Sequence, residues 1–178
     1  QMVAKKAKVA FGTVHYYFGG AERSMEEAAI FYVGSEGQKF IAEYLRVAAD
    51  KPGYNGLEEY IVGSFKWCKE YRYQVSYWMH FFYLASITSI FRDRNESFLA
   101  TARQRIQRLI YEGVGMKRFP AVTNVEDLAT KINGLLFGHG FVALADPTPG
   151  SIERGTKITL EAVRALVRSH AEGSRSPR

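Results

Sequence analysis

Apolar residues in this chain recur at intervals of three and four, not two, and the breaks between the runs are few and widely spaced. That period belongs to helices with one buried face, and it leaves little room for strands. The clear breaks are Lys51-Pro52-Gly53, Gly113-Val114-Gly115 with Pro120, and Pro147-Thr148-Pro149-Gly150. The reading is an all-α chain with short links and neither repeats nor low-complexity segments. At 178 residues, with 47% hydrophobic and 24% charged side chains, it can enclose the core of one or two small domains.

The elements can be placed from their caps. A long helix is expected from about Glu22 to Ala49, opened by a Ser24/Glu27 capping box. Gly34-Ser35-Glu36-Gly37 lies inside it, where each glycine costs about 1 kcal/mol against alanine. Ser35 with Gln38 offers a second capping box, so a kink or restart is expected there; the other reading is a packing notch for a neighbouring helix. Asn55, with Glu58 three residues on, caps the next helix, whose inner face carries Ile61, Phe65, Cys68 and Tyr71. Gln74 to Thr88 is apolar nearly all round and should be enclosed by other helices. Asp93 to Glu112 carries a buried stripe of Phe98, Ala102, Ile106, Leu109 and Ile110. A Thr123/Glu126 box should open a helix from Val125 to Leu144. The last helix runs from Ser151 to Ser169 with Ile158, Leu160, Val163 and Val167 as apolar positions.

The first eighteen residues read differently. Val3 to Phe18 forms a short helix, a tight turn and a second short helix. Val3, Ala7, Val9, Val14 and Phe18 can pack inward. Lys5, Lys6, Thr13, His15, Tyr16 and Tyr17 can reach phosphates and base edges, and no acidic residue interrupts the stretch before Gly20. The pattern V-A-K-K-A-K-V-A-F-G-T-V-H-Y-Y-F resembles the DNA-reading end of the TetR family of bacterial transcription regulators, I-A-K/R-x-A-G-V-S-x-G-T-L/I-Y-x-Y-F. The resemblance covers about a tenth of the chain in detail, and its ending in Phe18 ahead of a long helix makes it fairly specific.

This chain departs from that pattern at three places. Lys8 stands where the turn glycine is usual, at about 1 kcal/mol if the turn is left-handed. Ala10 replaces the serine that caps the recognition helix. Gly20-Ala21 replaces a Ser-Lys pair. The family also carries a helix before Val3, and Gln1 is not an initiator methionine, so the sequence reads as partial.

The resemblance implies a TetR-like, all-α fold. A helix-turn-helix head in residues 1–33, lacking its first helix, precedes a ligand-binding and dimerisation body in 34–170 and a flexible tail in 171–178. Lys5, Lys6, Thr13, His15, Tyr16 and Tyr17 would contact double-stranded DNA at a palindromic operator, with Gly12 allowing close approach to the backbone. The last two helices would form a four-helix interface in a homodimer, and a small hydrophobic or aromatic effector would release a repressor from its operator. The rival reading is an all-α small-molecule sensor that no longer binds DNA.

An effector site has its own signal. Twelve of the 25 aromatic residues fall between Tyr60 and Phe98, more rings than a small helical core needs. Rings with a few polar tips are the usual wall of a small-molecule cavity. Trp67, Tyr71, Tyr77, Trp78, Phe81, Phe82 and Phe98 are the candidates, against a plain aromatic core. Arg103, Arg105 and Arg108 read as a solvated face from which one side chain could meet an anionic ligand.

Net charge is +6, concentrated at the start and in the Arg-rich end, which fits nucleic-acid contact. The single cysteine, Cys68, permits no disulfide within the chain and suits a reducing cytoplasm. No signal peptide opens the chain as given, and the greasy stretch Val75–Thr88 is too short to span a bilayer and carries His80, so no membrane association is expected. His80 and His139 have no ligand partner at i±3 or i±4, so no metal is expected. There is no phosphate-cradling loop, carboxylate pair or activated nucleophile. Neither an enzyme nor a cofactor-binding protein is indicated.

Overall fold

The structure, a computed structural model, describes residues 2–19 and 25–171. Among the described residues eight helices follow one another: α1 (Met2–Ala7), α2 (Phe11–Phe18), α3 (Met25–Ala49), α4 (Gly56–Glu70), α5 (Arg72–Ile87), α6 (Ser89–Gly115), α7 (Val125–Ala145) and α8 (Ser151–Ser169). Among the described residues the sole β feature is an isolated bridge between Val122 and Ala171. Ser24, the Gly20-Ala21 pair and the tail beyond Ala171 lie outside the described residues.

Local chemistry sets most of the ends. The Asn55 side chain accepts from the Glu58 amide and caps α4 as expected. At α7 the cap is Asn124, not Thr123: its side chain accepts from the Asp127 amide at 3.1 Å, and Asn tolerates the left-handed φ of 50° found there. The Thr123 hydroxyl is turned to the His170 carbonyl, 3.1 Å away, tying the α6–α7 link to the end of α8. Ser151 Oγ donates to the Ala143 carbonyl at 2.8 Å, joining the start of α8 to the end of α7.

The helices share one main core. Ile61 and Phe65 of α4, Ile106 and Ile110 of α6, Leu128 and Ile132 of α7, and Val163 of α8 meet in it. Full burial of each such side chain contributes about 1.5–3 kcal/mol. A second, ring-rich cluster lies beside it: Ile30 and Val33 of α3 with Trp78 and Phe81 of α5, flanked by Phe98 of α6 and Phe137 and Phe141 of α7.

Two expectations need correcting. The long helix α3 neither restarts nor breaks at Gly34–Gly37. Its glycines are the notch: a Cβ on Gly34 would stand 3.2 Å from the Trp78 ring and 3.1 Å from Phe98, and one on Gly37 only 2.9 Å from Trp67. Helix α5 is enclosed on one face only. Val75, Trp78, Phe81 and Ala85 are buried at helical spacing, while Tyr73 and Tyr83 face outward. Tyrosine and histidine keep a polar tip in water, so a ring count overstates burial.

On α8, Val163 and Val167 are buried and Leu160 is half-buried, whereas Ile158 is exposed. Helix α7 is long and apolar enough to cross a membrane by length and composition. Its buried Leu128, Ala129, Ile132 and Asn133 face α4, α6 and α8, as in a core helix of a helical bundle.

Candidate functional site

A cavity of about 110 Å3 lies where α3, α4, α5, α6 and α7 converge. An apolar cavity of about 150 Å3 accommodates a benzene ring, so this smaller space admits one ring only if the side chains around it give way slightly. Trp67, Trp78, Phe82 and Phe98 line it, together with Phe137 and Phe141 of α7. The rings meet edge to face. Trp78 and Phe98 are 4.9 Å apart between centroids at 72°, and Phe82 sits 5.1 Å from Phe137.

The polar part of the wall is small and specific. Gln38 of α3, Tyr60, Ser64 and Cys68 of α4, and Arg105 of α6 contribute to it. Tyr60 is buried, and burial pushes its hydroxyl up from the usual phenol range, opposed by the Arg105 guanidinium beside it. Gln38 Oε1 is buried without a hydrogen-bond partner. Burial pushes the Cys68 thiol up to about 11, so it is a protonated wall group and not a poised nucleophile.

Of the seven ring residues expected at such a site, Trp67, Trp78, Phe82 and Phe98 line the cavity. Phe81 is fully buried behind them, 5.3 Å from Trp78 and 5.7 Å from Phe98. Tyr77 packs against the same cluster and donates its hydroxyl to the Glu26 carbonyl at the start of α3. Tyr71 does not reach the cavity: it is exposed at the end of α4 and packs on Phe40. The α7 wall of Leu136, Phe137, Gly140 and Phe141 lay outside the expected set. Its signal was present in Phe137 and Phe141, four residues apart and so on one helix face.

At the start of the chain α1 packs on α2 across a turn at Lys8. The turn is left-handed, with φ 55° at Lys8, so lysine carries the strain that glycine avoids, about 1 kcal/mol. Ala10 caps α2 with no side-chain hydrogen bond. Lys5, Lys6, Gly12, Thr13, His15, Tyr16 and Tyr17 are all exposed, with Tyr16 83% and Tyr17 65% accessible. The inward set differs from the expected one. Ala4 is the buried residue of the pair, Val14 is half-buried, and Val3, Ala7, Val9 and Phe18 are exposed.

A third surface runs along α7 and α8. Gly134, Gly138, Ala162 and Ala165 with Leu135 and Leu166 line a shallow apolar groove between them. Val142 stands exposed on α7. His139 does not point to a metal. Its Nδ1 pairs with the buried Thr159 hydroxyl at 2.9 Å, stitching α7 to α8. His80 is exposed between the Tyr77 and Tyr83 rings. Among the described residues no three His, Cys, Asp or Glu side chains gather as a metal site would need.

No protein-family model matches the chain, and no curated protein matches it by sequence. Solved structures do match. A protein assigned as a transcriptional regulator of Pseudomonas aeruginosa PAO1 superposes with a TM-score of 0.73 at 16% identity, over 94% of this chain and 80% of that one. A protein assigned to the TetR family of transcriptional regulators, from Rhodococcus sp., superposes with a TM-score of 0.73 at 17% identity, over 93% of this chain and 85% of that one. The chain has the TetR-family fold. In this TetR-like fold the cavity sits among α3 to α7.

Proposed function

We propose that the protein is a ligand-responsive, DNA-binding transcriptional regulator, acting as a homodimeric repressor that a small effector releases from its operator. The observation that carries this reading is α3. One uninterrupted helix begins just beyond the head and, nine to thirteen residues after Met25, forms the cavity wall through Gly34, Gly37 and Gln38. A ring pushed into that wall bears on the helix that carries the reading head. The mechanism is then a population shift. Effector favours a placement of two heads that no longer fits successive major grooves of a palindromic site.

Lys5 and Lys6 would hold phosphates; Thr13, His15, Tyr16 and Tyr17 would face the groove, and Gly12 would let α2 approach the backbone. The groove between α7 and α8 supports pairing of two copies. Its small residues allow close helix approach, and exposed Val142 adds apolar area that one protomer leaves uncovered. The single cysteine suits a cytoplasmic home.

A gel shift with genomic fragments tests the reading: a retained fragment that carries an inverted repeat supports it. The rival, a sensor that no longer reads DNA, draws on the strained Lys8 turn and the uncapped α2. It predicts effector binding with no DNA retained.

A further inference from the structure

The polar groups of the cavity are unevenly matched, and the mismatch points to a class of ligand. Arg105 places its guanidinium beside the Tyr60 hydroxyl at the cavity wall. The ion pairs of the body go elsewhere: Arg94 to Glu27, Arg108 to Glu112, Arg164 to Glu58. No carboxylate lies within ion-pair distance of Arg105 among the described residues, and no acidic residue lines the cavity. A half-buried cation without an anion, facing an apolar space, lacks the partner that makes such burial favourable. In the lining of the same cavity Gln38 Oε1 is an acceptor shut off from water with no donor. Leaving a buried acceptor unpaired is unfavourable, and native structures show few cases. The rest of the wall is mostly apolar and rich in rings, around a space no larger than one ring needs.

We infer that the cavity takes a one-ring aromatic carboxylate bearing a hydroxyl. Its carboxylate meets Arg105, its hydroxyl donates to Gln38 Oε1, and its ring lies among Trp67, Trp78, Phe98 and Phe137. Guanidinium and carboxylate form paired, charge-assisted hydrogen bonds, the strong kind in a site of low polarity. The inference rests on the reading of the cavity as the effector site and names the effector's chemistry.

Trp67 and Trp78 are the two tryptophans of the chain and both line the cavity, so their emission reports binding without any DNA. The probes are the three monohydroxybenzoates, benzoate, and the amide of the best hydroxybenzoate. The expected result is saturable quenching by at least one hydroxybenzoate, at least tenfold tighter than its neutral amide. Arg105→Gln, which keeps a donor for Tyr60, should erase that preference. Gln38→Leu should erase the advantage of hydroxybenzoate over benzoate. Gly140→Leu should abolish quenching by all of them with the fold intact, because Gly140 is buried at the cavity and a Cβ there meets no heavy atom within 4 Å. Equal affinity for the acid and its amide in the unmodified protein overturns the inference, whatever the variants do, as does the lack of any quenching. Acid-selective binding that leaves a DNA complex unreleased supports the inference and counts against the regulator reading alone.

Discussion

Gly37 on α3 lies directly under the indole of Trp67 on α4: a Cβ added to the glycine would stand 2.9 Å from Trp67 Cζ2. A helix interior normally gains about 1 kcal/mol when glycine becomes alanine. Here the gain is opposed by overpacking, which costs about 1–3 kcal/mol. Gly37→Ala should therefore lower the denaturation midpoint slightly and shift tryptophan emission as Trp67 is displaced toward the cavity. A midpoint that rises, with emission unchanged, would show that the contact is slack.

Trp78 separates core from cavity. It is 9% exposed and packs on Gly34, Phe81 and Phe98. Truncating a wholly enclosed ring costs about 3–5 kcal/mol and impairs every function together. A ring that lines a cavity loses fewer contacts. Trp78→Ala should fall below that range, keep DNA binding and lose the effector response. A strongly destabilised variant whose folded fraction still releases DNA normally would return Trp78 to the plain core.

The thiol of Cys68 lies in the cavity wall, held up to about 11 by burial. The sign is that of a raised acid: the protonated thiol persists in the fold well above the pH at which an exposed cysteine ionises, near 8.5. Iodoacetamide at pH 8 should label the denatured protein quickly and the native protein slowly, with the native rate still climbing between pH 8 and 10. Equal rates in both states would place Cys68 outside any enclosed wall.

The groove between α7 and α8 predicts a dimer. Val142→Glu and Ala165→Glu add charge at exposed positions and touch nothing in the protomer core. Each should give a folded monomer in sedimentation velocity at micromolar concentration, where the unmodified protein sediments as a dimer. A monomeric unmodified protein would remove the basis for a palindromic operator.

Much of this architecture was legible before any coordinates. Helical period, Asn55 and the Pro/Gly breaks fix local backbone choices, and they placed α4, α7 and α8 to within a few residues. The short helix, turn and short helix of the first residues are legible too, with a left-handed turn at Lys8, but their inward set is not: Val3, Ala7, Val9 and Phe18 are exposed. Tertiary choices were less visible. Gly34 and Gly37 read from sequence either as a break or as a packing notch, because propensity counts backbone entropy and cannot see the indoles that decide for the notch. Tyr71 and Trp67 look alike as aromatic residues four apart in sequence, yet Tyr71, at the cap of α4, faces Phe40 near water and Trp67 the cavity. Arg105 looked like its neighbours Arg103 and Arg108 until α4 brought Tyr60 beside it. Such pairings join residues thirty or more positions apart, where period carries no information.

Reading of DNA by α2 under control of the body is tested by salt-dependent binding to a selected operator. Fragments retained from a genomic pool should carry an inverted repeat, and log K should fall steeply with log salt. Lys5→Ala and Lys6→Ala should each flatten that slope by about 1, as for a lost phosphate contact. Thr13→Ala or Tyr17→Phe should weaken binding to the selected site with the body's denaturation midpoint unchanged. Failure to enrich any fragment over background, or a slope unmoved when both lysines are removed, would contradict the account.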